Sequence, residues 1–335
     1  MMAPVLQIED LKTFFYTREG TAKAVNGVGF NLSKGEILGV VGESGCGKSV
    51  TALSLLRLVP HPGKIVGGRI RFHDTDLLQV SEKKMRDVRG DQISMIFQEP
   101  MISLNPAFTI GDQMMEALRI HRRISRAEAR NRAIEMLCQV EIPVPEQRIR
   151  DYPHHLSGGM RQRVMIAEAL LLNPDILLAD EPTTALDVTI QAQVLDVMYR
   201  LTQETGTAII LITHNLGLVA ESANRVVVMY AGKVVEEGLI DDVFQCTAHP
   251  YTRGLLKSIP LPGQKKEGKR QPLYEMTGIV PSLFDLPAGC PFHPRCPEAG
   301  ATCREEMPPW VELDAHHRAL CYRFSKEGIS KKNDS

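Results

Sequence analysis

The chain has 335 residues, 43% of them hydrophobic, with 39 Lys plus Arg against 40 Asp plus Glu. That length holds one large domain and a smaller appended one. The near-neutral charge removes any general electrostatic reason to bind nucleic acid. No apolar run approaches the roughly 18 residues that cross a bilayer. The first residues, Met-Met-Ala-Pro-Val-Leu, lack the basic flank and apolar stretch of a secretory signal. A cytoplasmic chain that reaches a membrane only through partners is expected.

Val5 to Ile8 and Ile37 to Val41 suit strands, and the second runs straight into Gly42-Glu-Ser-Gly-Cys-Gly-Lys-Ser49. Thr51 to Leu56 continues at helical spacing, so strand, glycine loop and helix follow in the order a phosphate loop requires. Its glycines let backbone N–H groups point inward to cradle phosphates, and the following helix adds its positive N-terminal end. Gly42, Ser44, Gly45, Cys46, Gly47, Lys48, Ser49 and Val50 are expected around the nucleotide. Lys48 neutralises β/γ oxygens and the Ser49 hydroxyl suits Mg²⁺. Cys46 reads as a small filler, because phosphoryl transfer to water needs no thiol nucleophile.

Ile93 to Phe97 predicts another strand, ending at Gln98. From about Glu99 to Arg163 the chain turns charged. Gly111 to Ile120 and Arg126 to Val140 carry helical periodicity, which predicts a helical insertion in an α/β core. The basic stretch from Arg119 to Arg132 reads as a solvated helix face. After Leu156-Ser-Gly-Gly-Met160 come three compact apolar runs, Ile176 to Ala179, Ala208 to Thr213 and Arg225 to Tyr230. Alternating with helical segments, they predict a largely parallel sheet. The first run ends in Asp180-Glu181-Pro182. A carboxylate leaving a buried strand beside phosphates can hold Mg²⁺ through water, which suits Asp180, and Glu181 can polarise the attacking water as general base.

Lys233 to Glu236 reads as a short edge strand and residues 260–275 as a linker. The expected organisation is an ATPase domain over 1–240, with a helical subdomain inserted at about 99–163, and an extension over 241–335. Of seven cysteines, Cys46, Cys138 and Cys246 are scattered, while Cys290, Cys296, Cys303 and Cys321 crowd the last fifty or so residues. A cytosolic compartment disfavours disulfides, so the clustered set suggests a metal site. Four thiolates suit zinc or an iron–sulfur cluster, although the spacing is not the paired Cys-x2-Cys of zinc ribbons. His293, His316 and His317 are candidate ligands as well, although they read first as solvated loop histidines.

The glycine loop, the Ser-Gly-Gly turn and the acidic strand end, in this order, resemble the ATP-binding cassette (ABC) proteins. The resemblance implies a P-loop NTPase (RecA-like) α/β core with an inserted helical subdomain and a Cys-rich C-terminal extension, using ATP and Mg²⁺. It places Gln98 at the Q-loop, beside Mg²⁺ and the attacking water, and His214 at the switch position facing the γ-phosphate. Asp187, ending Thr184-Ala-Leu-Asp187, falls in the D-loop at the dimer seam. Phe15 takes the place of the aromatic that stacks on adenine, with Phe14 and Tyr16 as close competitors. Ser157, Gly158 and Gly159 would bind the γ-phosphate of ATP held by a facing second subunit. Val50 and Met160 depart from the Thr and Gln that many ABC proteins carry there.

Phe97 to Pro106, Glu181 to Gln193, His249-Pro-Tyr-Thr-Arg253 and the Cys-rich tail resemble the ATPase subunits of bacterial dipeptide/oligopeptide importers, most of all those of the dipeptide D type. That family implies a heterodimer with a second homologous ABC ATPase and two transmembrane permeases above it. It also implies an extracytoplasmic peptide-binding protein, a place on the cytoplasmic face of the inner membrane, and a [4Fe–4S] cluster on the four tail cysteines. Nickel and other small-solute importers share these motifs. Soluble ABC proteins of ribosomes or DNA fuse two cassettes or insert a long coiled coil, and neither is present.

Overall fold

The computed structural model describes residues 4–98, 103–183, 187–259 and 276–325. They gather into two compact units between which the chain passes several times. Among the described residues, one comprises those of 4–6, 32–36 and 72–212, the other those of 7–31, 37–71 and 213–325.

In the second unit, β1 (Leu6–Thr17), β2 (Gly20–Leu32) and β4 (Gly63–Phe72) lie side by side in the order β2–β1–β4. Of these long strands the sequence pattern exposed only the first few residues. Asp10 adopts φ 47°, which breaks the alternation within β1, and apart from Val66 the exposed residues of β4 are polar or glycine. β3 (Ile37–Val41) runs parallel to β9 (Arg225–Tyr230), with Leu38 opposite Arg225 and Val41 opposite Val228.

The first unit contains the two-residue strand β5 (Thr75–Asp76) and three parallel strands, β6 (Ile93–Ile96), β7 (Ile176–Asp180) and β8 (Ala208–Thr213). Ile93 stands opposite Ile176, and Ile176 opposite Ala208. Every residue of β7 and β8 is buried, which explains why both read as unbroken apolar runs rather than alternating ones. The helix Ile110–His121 buries Ile110, Met114 and Leu118, and the helix Arg126–Gln139 buries Ala129, Ala133 and Leu137. Spacing of four places each set on one stripe, and the two helices pack on each other and on the helix Gly158–Leu170. Thr109 and Ser125 cap the first two, accepting bonds from the amides of Asp112 and Glu128. The expected helical insertion is therefore present, apart from residues 99–102, which lie outside the described residues.

The expected edge strand, β10 (Lys233–Leu239), is not at an edge. It pairs antiparallel with β9 on one side and with β12 (Arg318–Leu320) on the other, and β11 (Trp310–Glu312) pairs in turn with β12. The tail thus extends the sheet and buries Glu236 completely. A buried carboxylate survives only if hydrogen-bonded. Glu236 accepts from the amides of Ala248 (2.7 Å) and His249 (3.0 Å) and lies 2.8 Å from His317 Nε2. Burial opposes the charged form of His317, but the hydrogen bond and charge of Glu236 outweigh it and raise its pKa. His317 is thus a core residue and not a solvated one. No helix among the described residues is long and apolar enough to cross a membrane.

Candidate functional site

In the second unit, the buried strand β3 delivers the chain into the glycine loop, and the helix Lys48–Leu55 leaves it. Gly42 and Gly47 admit no side chain. A Cβ on Gly42 would lie 2.2 Å from the carbonyl oxygen of Met229, and one on Gly47 2.2 Å from that of Ala24. Both residues also adopt φ values, 151° and 105°, that L side chains rarely take. Lys48 is buried, and its Nζ donates to the carbonyls of Gly42 (2.7 Å) and Glu43 (3.1 Å), so its charge is held inside the loop's curve. Ser44 and Gly45 are exposed, and Ser49 and Val50 are half-buried. Cys46 is buried, and burial keeps its thiol above the usual pKa despite the nearby Lys48 charge. A neutral, enclosed thiol agrees with a filler.

The same unit carries Phe15. In β1, Leu11, Thr13 and Phe15 alternate with Lys12, Phe14 and Tyr16, so the two sets face opposite sides. The Thr13 hydroxyl is 2.8 Å from the Ser54 hydroxyl on the helix that leaves the glycine loop. Phe15 shares that face, and its ring lies where a Cβ on Gly63 would come within 2.7 Å of Cε1. Phe14 and Tyr16 point the other way. His214 is exposed just beyond β8, and the next residue, Asn215, caps the helix Leu216–Ser222.

In the first unit, β7 ends at the buried Asp180, and Glu181 follows with φ 47°, a left-handed conformation uncommon outside glycine. Its amide donates to Ile212 O (2.9 Å), which fixes the turn. Gln98, just past β6, donates from Nε2 to Glu181 Oε2 at 3.2 Å. Two residues 83 positions apart are thereby brought together by parallel neighbouring strands. Ser157 caps the helix Gly158–Leu170 by accepting from the Met160 amide, and Ser157 and Gly158 remain exposed. A Cβ on Gly159 would fall 2.9 Å from Ile190 Cγ2, in the helix Val188–Thr205 that Asp187 caps through the Ile190 amide. The turn and Asp187 are thus neighbours. The sequence pattern missed Gln162: buried one turn into the same helix as Gly159, it donates to the carbonyl of Pro182, the residue after Glu181.

The tail reaches the phosphate loop through residues that sequence patterns did not single out for a role. Tyr251 and Arg295 are both buried and both contact Glu43, a loop residue between Gly42 and Ser44. His249 is buried beside them. Burial pushes its pKa down to about 4, which the Glu236 charge only partly offsets. Native His249 therefore refuses a proton that the unfolded chain takes up near pH ~6.5. Its contribution to stability is lost as pH falls from there towards 4, by on the order of 2 kcal/mol. In His249→Asn, which keeps an acceptor for the Tyr251 amide, denaturant unfolding at pH 7 and pH 4.5 should show a correspondingly smaller loss than wild type.

The expectation of a [4Fe–4S] cluster is corrected. Cys290, Cys296, Cys303 and Cys321 do line one cavity of about 850 Å³, with Phe292 and Tyr322 among its walls. Among the described residues, however, no group of three or more His, Cys, Asp or Glu is arranged to hold a metal ion. Burial pushes Cys290 to about 12, Cys321 to about 11, and Cys296 above its usual value. His293 Nδ1 is 3.0 Å from the Cys290 carbonyl. The four cysteines are wall residues of a cavity in the tail.

Known proteins give the same arrangement a family. Residues 25–184 match the ABC transporter family and residues 235–303 match the oligopeptide/dipeptide transporter C-terminal region. The chain is 52% identical to a probable peptide ABC transporter ATP-binding protein of Sinorhizobium fredii, over 96% of each chain. It is 49% identical to the oligopeptide transport ATP-binding protein AppD of Bacillus subtilis, over 98% of this chain and all of that one. It is 48% identical to the dipeptide transport ATP-binding protein DppD of Bacillus subtilis, over 96% and 95%. The solved dimeric post-hydrolysis state of an ATP-binding cassette bound to ADP and Pi is 28% identical. It superposes with TM-score 0.63 over 70% of this chain and 98% of that one. The chain belongs to the ATP-binding subunits of the ABC peptide transporters.

Proposed function

We propose that this chain is the ATP-hydrolysing motor subunit of an importer that takes up dipeptides or oligopeptides. The observation that carries the reading is the continuity of relationship through the tail. Family matches cover the cassette at 25–184 and the peptide-transporter region at 235–303, and relatives named for peptide transport or peptide import align over nearly the whole chain. The same pair of matches supports a functional division into an ATPase domain over 1–240 and an extension over 241–335.

The phosphate loop binds the β- and γ-phosphates through its backbone N–H groups and Lys48, and the oxygens of Ser49 and Asp180 suit Mg²⁺, a hard cation. Glu181 takes the proton from the attacking water, Gln98 holds the Glu181 carboxylate in place, and His214 contacts the γ-phosphate. Phe15 stacks on adenine. Ser157, Gly158 and Gly159, with Asp187 beside them, close over the ATP of a second, homologous ATPase subunit. Two such cassettes sit on the cytoplasmic face of the inner membrane beneath two permeases, and a peptide-binding protein on the other side delivers cargo. ATP binding closes the pair and hydrolysis resets it.

Base–aromatic stacking is worth about 1–3 kcal/mol, so Phe15→Ala should weaken ATP binding about tenfold or more. Phe14→Ala and Tyr16→Ala, on the opposite face of β1, should leave titrations with a fluorescent ATP analogue within about twofold of wild type.

The function is tested by reconstituting the chain with a second ATPase, two permeases and a peptide-binding protein in vesicles. Dipeptide should enter only with ATP and should stimulate hydrolysis. A complex that stays unresponsive to dipeptides and oligopeptides but responds to another solute would overturn the peptide assignment.

A further inference from the structure

We propose that the C-terminal extension sets the shape of the phosphate loop through Glu43, with Arg295 and Tyr251 as its positioning residues. The proposal rests on residues 42–49 being the nucleotide site.

A loop with glycine at 42, 45 and 47 has little side-chain packing to hold it, and its backbone loses much entropy on becoming ordered. Something outside must fix it if its N–H groups are to point inward together. Besides the Cys46 carbonyl, which accepts from the Gly232 amide at 2.9 Å, Glu43 is where that happens, because its main chain and its side chain are both tied. Its amide donates to the Tyr251 hydroxyl at 2.8 Å, and its carbonyl accepts from Lys48 Nζ at 3.1 Å. Its carboxylate takes a two-pronged bond from Arg295, Nη1 to Oε2 at 2.7 Å and Nη2 to Oε1 at 3.0 Å. The next two residues, Ser44 and Gly45, stay exposed. A shift of Glu43 therefore carries the carbonyl that Lys48 holds and the amides of the exposed turn.

Both braces are rigid. The Arg295 side chain is only 4% exposed. Its Nε donates to Thr277 O at 3.2 Å and its Nη1 also reaches the Tyr230 hydroxyl at 3.4 Å, so the guanidinium has no free rotation. Tyr251 packs against Tyr230 and Phe292, with ring centroids 4.6 and 5.4 Å away. A paired guanidinium–carboxylate fork is both strong and directional, and a lysine cannot reproduce it. Arg295 sits between Pro294 and Cys296 in a short turn, so the Cys-rich tail supplies the brace directly.

The test uses the full-length chain, a fluorescent ATP analogue with Mg²⁺, steady-state ATPase assays and nucleotide-free thermal unfolding. Losing a charge-assisted pair predicts that Arg295→Met raises the nucleotide Kd about tenfold or more, with KM rising in step and kcat changing less. Arg295→Lys should restore part of the affinity. Glu43→Gln should weaken binding similarly, and the double variant should be no weaker than Arg295→Met alone, because both changes break one interaction. Tyr251→Phe should speed amide hydrogen exchange within residues 42–47. A Kd within about twofold of wild type in Arg295→Met, or additive losses in the double variant, would overturn the proposal. If Arg295→Met does not fold, Glu43→Gln decides alone: unchanged affinity rejects the brace. A wild-type chain that binds no ATP would instead reject the nucleotide site itself.

Discussion

Glu181→Gln should lower ATP turnover by about 10³-fold while leaving ATP binding intact. General-base catalysis is typically worth about 10²–10⁴-fold, and the amide cannot accept the proton from water at neutral pH. The substitution is close to isosteric. The backbone amide at position 181 still bonds Ile212 O, and the carbonyl oxygen of the new side chain can still accept from Gln98 Nε2, so the turn at φ 47° should persist. The loss should then fall in kcat and not in nucleotide Kd, and ATP-bound dimers should accumulate because the hydrolysis that reopens them is slowed. Turnover within about tenfold of wild type would remove Glu181 from the role of base.

Gly47→Ala should abolish ATP binding and also destabilise the fold. The new Cβ would meet the Ala24 carbonyl oxygen at 2.2 Å, a backbone atom in β2 that cannot swing aside, at φ 105°. Steric overlap and forbidden backbone together predict a loss of about 3 kcal/mol or more of stability. Lys48→Ala provides the contrast. It removes the charge proposed to neutralise the phosphates yet leaves the glycines of the loop unchanged, so binding should fall while the unfolding temperature drops less. Urea unfolding and nucleotide titration of the two variants should separate shape from charge. Equal stability of Gly47→Ala and wild type would show that the loop adopts another conformation.

Local chemistry made much of this protein readable from its residues. A buried parallel strand is an unbroken apolar run, so β3, β7, β8 and β9 were legible. Capped amphipathic helices made the insertion legible as well. The glycine loop and the acidic strand end are short contiguous segments whose residue types follow from phosphate geometry. Long strands were harder, because β4 mixes polar and glycine residues with only Ile70 and Phe72 buried, and the buried positions of β2 follow no clean period. The four tail cysteines misled for a related reason. Proximity in sequence set them around one cavity, but ligation needs side chains that converge on one point, and among the described residues no three His, Cys, Asp or Glu do so.

Contacts between distant segments arise only on folding. No spacing rule brings Gln98 to Glu181 or converts Lys233–Leu239 from an edge into a paired strand. None could place Arg295 on Glu43, 252 residues earlier in the chain. Which groups can bind phosphate, polarise water and cap the helices is written in the order of amino acids, because those properties reside in single residues and their immediate neighbours. How the loop carrying them is held is settled by the folded chain, because an ion pair between a tail and a loop exists only after long-range packing has closed the distance.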